Sequence, residues 1–160
     1  MRGRPGVAAL LGVVTLAGLT ACSSGSALGP RATAGTATEH TVVLLDDAAR
    51  PAVSAGIDDF VAEARAEVVS AAGTPAAVAG SVKDGEIVDV VVLPAGADLE
   101  RITDELVADP APVGRAGGTT YFAAAVTARG LPFAQYLTTA RGRQVLLTHG
   151  VTPTSDAPSG

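Results

Sequence analysis

Between Val68 and Leu93 the chain reads as strand, tight turn, helix and strand, and that unit restricts the fold more than any other feature. Val68 and Val69 have the β-branched character of a strand. Gly73 permits a sharp turn, Thr74 offers a hydroxyl N-cap, and Pro75 sits at the first helical position, where its missing N–H has no helical partner to lose. The helix is expected to reach about Lys83, and Asp84-Gly85 stops it. Val88 to Leu93 is an almost unbroken apolar run, as expected of a parallel strand covered on both faces. Together these pieces form a βαβ unit with a right-handed crossover.

The turn has a chemical use. The first amides of a helix lack internal partners and carry partial positive charge. With the Thr74 hydroxyl beside them, they complete a small site for an oxyanion or a polar ligand. The simpler alternative is that Thr74 only caps its helix.

The flanking sequence extends the pattern. Thr41 to Leu45 is an apolar first strand, ended by Asp46-Asp47. Arg50-Pro51 opens a helix in which Val53, Ile57, Phe60, Val61 and Ala64 recur at helical spacing. After the third strand, Pro94 and Gly96 break the chain, and Asp98 is expected to cap a helix bearing Leu99, Ile102 and Leu106 on one face. The proline-bearing connector 109–112 leads to a short strand at Val113 to Arg115. Gly117-Gly118 turns the chain into a strand at Thr119 to Thr127. Leu131-Pro132 begins a helix with Phe133, Tyr136, Leu137 and Ala140, which Gly142 is expected to interrupt before Arg143 to Leu147. The expected fold is α/β: a single three-layer α/β/α domain over residues 40–153, with a mostly parallel sheet. Ligands of such sheets sit beyond the carboxyl ends of the strands. That edge carries Asp46, Asp47, Ala48, Gly73, Thr74, Pro94 and Gly96. Asp46 and Asp47 suit a cation or a polar organic ligand, or are simply a solvated strand end.

A chain of 160 residues can bury a real core, and one without tryptophan and with three phenylalanines must build it from small aliphatics. The formal net charge of −5 argues against nucleic acid as a partner. No catalytic constellation is evident, so the chain is expected not to be an enzyme and to need no cofactor. His40 and His149 lack metal-ligand spacing with each other or with the single cysteine. Asp58-Asp59 and Asp104-Glu105 read as solvated helix faces, and Gly80 to Lys83 closes a helix rather than opening one, so it is no phosphate loop.

Arg2 and Arg4 precede an apolar run from Val7 to Leu19 that is short for a bilayer span. The run ends at Leu19-Thr20-Ala21-Cys22, followed by Ser-Ser-Gly-Ser. This resembles the lipobox of bacterial lipoproteins. The resemblance implies a signal peptide over 1–21, lipidation of Cys22, and residence on the outer face of the cytoplasmic membrane or in a periplasm. Cleavage there removes both arginines and takes the net charge from −5 to −7. A secretory signal cut elsewhere and an uncleaved anchor are the alternatives. Residues 22–39, rich in Ser, Gly, Thr and Ala, read as a flexible tether, and 154–160 as a disordered tail.

Three strings carry a second resemblance. They are Thr41 to Phe60; Ala71 to Leu93, above all Gly-Glu-Ile-Val-Asp-Val-Val-Val-Leu; and Tyr121 to Pro153 with its Arg-Gly-Arg-Gln-Val-Leu-Leu-Thr-His-Gly-Val-Thr-Pro ending. In this order they resemble the molybdate-binding type of extracellular solute-binding protein of ABC importers, a type II periplasmic binding fold. The resemblance implies a small solute or oxyanion as ligand, an ABC permease as partner, and a lipid anchor to the membrane. It places ligand contacts at Ala48 and Thr74. Two departures stand out. The family's second lobe is missing between Asp109 and Arg115, which leaves half a binding wall. Ala48 stands where the family has a serine, a loss of roughly 1–3 kcal/mol of hydrogen bonding, while Asp46 and Asp47 repel an oxyanion. A single lobe that no longer transports solute and binds proteins at the cell surface is the alternative function.

Overall fold

The computed structural model describes residues 40–154. The expected signal peptide, Cys22, the tether to residue 39 and the tail from 155 onward lie outside the described residues. Five strands and five helices build the fold: β1 His40–Asp46, α1 Arg50–Ala64, β2 Glu67–Gly73, α2 Pro75–Lys83, β3 Val90–Pro94, α3 Ala97–Arg101, β4 Ala111–Ala116, β5 Thr119–Ala125, α4 Leu131–Tyr136 and α5 Ala140–Thr148. The sheet order is β2-β1-β3-β5-β4. β1 pairs in parallel with both β2 and β3, whereas β5 runs antiparallel to β3 and to β4. Four strands thus point one way and β5 is inserted against them.

Strand alternation feeds two apolar layers. Val43, Leu45, Val90 and Val92 meet α1, α4 and α5, where Val53, Phe60, Phe133 and Leu146 pack. Leu44, Val91 and Leu93 meet Val78 and Val82 of α2 and Leu99 of α3. The three layers of the α/β/α expectation are therefore present. The few aromatics are concentrated in the first layer, with the Phe60 and Phe133 rings edge-on at 5.2 Å.

Three local expectations are corrected. The third strand starts at Val90 rather than Val88, because Asp89 already turns its polar groups onto neighbouring strands. Asp98 does not cap α3. The N-cap is Gly96 at φ 144°, a conformation that favours glycine, and Asp98 lies in the first turn with its carboxylate 3.3 Å from Arg101. Gly142 does not interrupt a helix but lies inside α5, which Thr139 caps through the Gly142 amide at 3.1 Å. A Cβ on Gly142 would fall 2.2 Å from the Tyr136 carbonyl oxygen, so glycine there lets α5 close onto the end of α4.

Candidate functional site

The β1–β2 register sets Asp46 opposite Gly73, so the two strands end together. Adjacent strands lie about 4.8 Å apart. One edge of the sheet thereby gathers all five expected site residues: Asp46, Asp47 and Ala48 from the end of β1, and Gly73 and Thr74 from the end of β2. Asp47, Ala48 and Thr74 are exposed, while Asp46 and Gly73 are buried. β1 begins with His40 at the other end of the sheet. Seven residues of strand separate that point from the rim, about 23 Å at 3.3 Å per residue.

Thr74 does what its sequence position indicates. Its backbone is extended, and its Oγ1 accepts the Ala77 amide at 3.3 Å. Val78 N–H goes to the Thr74 carbonyl at 3.0 Å, and Pro75 has no N–H. Among the described residues, the exposed Ala76 amide in the first turn of α2 has no assigned partner. The corner therefore offers a ligand the Ala76 amide and the hydroxyl proton of Thr74, with the exposed Asp47 following the end of the neighbouring strand β1. That set fits a polar or cationic group better than a tetrahedral oxyanion, which seeks several donors at once.

Asp46 is not a solvated strand end. It is 8% exposed, and Tyr121 on β5 donates its hydroxyl proton to Asp46 Oδ2 at 2.9 Å. Burial pushes the Tyr121 phenol up to about 12, and the hydrogen bond to Asp46 and its charge act the same way. Sequence reasoning missed Tyr121. Its partner is 75 positions away, and no short-range pattern marks it.

Two other acids are also engaged by the fold. Asp89, 3% exposed, accepts the Val42 amide on Oδ2 at 2.9 Å and the Thr127 hydroxyl on Oδ1. Its own N–H and C=O join β1 and the segment after β5. Asp59 is no solvated face. It accepts two bonds from the Arg141 guanidinium at 2.6 and 2.8 Å, and one from the Tyr136 hydroxyl. The Arg141 bonds, then the Tyr136 bond, hold its carboxyl at about 2, against a smaller opposing effect of burial. Glu105, by contrast, is an exposed acid paired with Lys83 at 3.0 Å.

A shallow cavity of about 280 Å³ is lined by Thr103, Leu106 to Asp109 and Pro110. Val107 bonds the carbonyl of Ala125, which pairs with the first residue of β3, so this cavity lies at the pole opposite Thr74. Among the described residues, no three His, Cys, Asp or Glu side chains converge on a metal position, and no helix is long and apolar enough to cross a membrane. No family model, curated protein or solved structure matches the chain.

Proposed function

We propose that the chain is a non-catalytic, solute-binding-like lobe related to the molybdate-type receptors of ABC importers. In this reading Cys22 is lipidated and moors the lobe to the outer face of the cytoplasmic membrane, or within a periplasm, where an ABC permease can meet it. The observation that carries the reading is the β1–β2 register, which gathers Asp47, Ala48 and Thr74 on one exposed rim.

The donor set favours a polar or cationic solute over molybdate. Ala48 brings no hydroxyl, and Asp47 adds negative charge beside the corner. Isothermal titration of the folded protein with molybdate, tungstate, sulfate and divalent cations tests this reading. Saturable heat lost on Thr74→Ala supports it; no heat with any of them overturns the receptor role.

One feature favours a second reading, a protein-interaction module. With a single lobe the rim has no facing wall, and an open surface suits a macromolecule better than a small solute. Crosslinking in membranes that traps a different protein at the Thr74 rim would select this reading; a rim that traps nothing would reject it.

A further inference from the structure

The two edges of the sheet are built differently. β4 carries Pro112, a register shift between Pro112 and Gly114, and the exposed Arg115. Its outer side is also covered, since Arg115 and Thr152 exchange backbone bonds of 2.7 and 2.8 Å. These are the usual defences of an edge strand. Among the described residues, β2 lacks the proline, the register shift and the cover, and its one charge is Glu67 at its start. It is seven residues long, pairs with β1 along its whole length without a bulge, and contains no proline or lysine. In a parallel pair every second residue turns its N–H and C=O away from the neighbour. Among the described residues, no backbone or side-chain bond outside the β1–β2 ladder reaches residues 67–73. Glu67 and Ser70 are exposed, and Val68, Val69, Ala71 and Ala72 are half-buried.

We propose that the β2 edge is a self-association surface, on which a second copy pairs antiparallel, β2 against β2, about a two-fold axis at Ser70. The sequence of the strand fits itself in that register. Ser70 faces Ser70, Val69 faces Ala71, Val68 faces Ala72, and the one acid, Glu67, faces the neutral Gly73. Larger side chains meet smaller ones, and no like charges stand directly opposite. The axis is perpendicular to the sheet, so each α-helical layer continues beside its own counterpart and the five strands of each copy join into one sheet. This surface runs along the side of β2 and meets the Thr74 rim only at Gly73, and its use does not depend on whether the rim binds solute.

Cysteine crosslinking tests the register. Residues directly opposite in an antiparallel pair have Cα atoms about 5 Å apart, within disulfide reach. Two copies of residue 67 would be offset by about 20 Å along the strands. Membranes from cells producing the full chain are oxidised, with the parent chain, which carries only Cys22, as baseline. Ser70→Cys is expected to form covalent dimer about tenfold faster than Glu67→Cys, which stays at baseline. Light scattering of the parent chain in mild detergent is expected to show a dimer, and Ser70→Lys, which sets two ammonium groups face to face, a monomer. Equal crosslinking at both positions, a monomeric parent chain, or a Ser70→Lys variant that remains dimeric would each overturn the proposal.

Discussion

The two poles of the sheet are finished in opposite ways. At the amino pole, Asp89 is saturated: its side chain holds Val42 and Thr127, its carbonyl accepts Val126 and Thr127, and its amide bonds Val42. Gly130 packs so closely on it that a Cβ there would lie 2.0 Å from the Asp89 carbonyl oxygen. At the carboxyl pole, the Asp46 side chain has Tyr121 as its one partner among the described residues, and Asp47, Ala48 and Thr74 face solvent. A buried polar group must be satisfied by the protein, whereas an exposed one retains capacity for a ligand. The difference separates a pole whose polar groups are used up inside the fold from one whose polar groups face solvent.

The comparison can be broken by substitution. Gly130→Ala is expected to have the largest effect, more than about 3 kcal/mol, because backbone rather than a mobile side chain occupies the space. Urea unfolding would reveal it, and a near-native midpoint would mean that the amino pole is not rigid. Tyr121→Phe is expected to cost about 1–3 kcal/mol, since Asp46 is left buried without its donor. Thr74→Ala removes a cap and is expected to cost about 1 kcal/mol by the same measurement while abolishing ligand heat at the rim.

The smallest expected effect is on titration. The chain has two tyrosines, Tyr121 and Tyr136, and burial raises both to about 12. Raised folded values mean that their contribution to stability is intact below the unfolded phenol value near 10 and is lost as pH climbs from there through 12. Absorbance near 295 nm should therefore show phenolate forming close to 12 in the native protein and close to 10 in urea. Asp59 behaves in the opposite sense. Its lowered value makes the Arg141 contribution complete above about 4 and lost as pH falls through about 2.

Much of the architecture was legible because it rests on local chemistry. The hydroxyl-proline start of α2, the Asp84-Gly85 stop and the aliphatic run of β3 act over one or two turns of chain, and each element stands within a few residues of its expected place. The grouping of the rim residues followed from strand ends in a parallel sheet. Two corrections fall where packing or a distant partner intervenes. Asp59 read as a solvated acid because Arg141, 82 residues on, leaves no mark near it. Gly142 read as a break because its value lies in the approach of Tyr136.

By itself the sequence determined the βαβ unit, the capped Gly73-Thr74 corner and the small-aliphatic core, since periodicity and capping are encoded within short windows. Only the tertiary structure decided that β5 inserts antiparallel between β3 and β4, that Tyr121 engages Asp46, and that, among the described residues, one sheet edge is covered while the other is not. Those outcomes depend on which buried surfaces and hydrogen-bond partners meet across the chain, a sum over the whole domain that no local stretch contains.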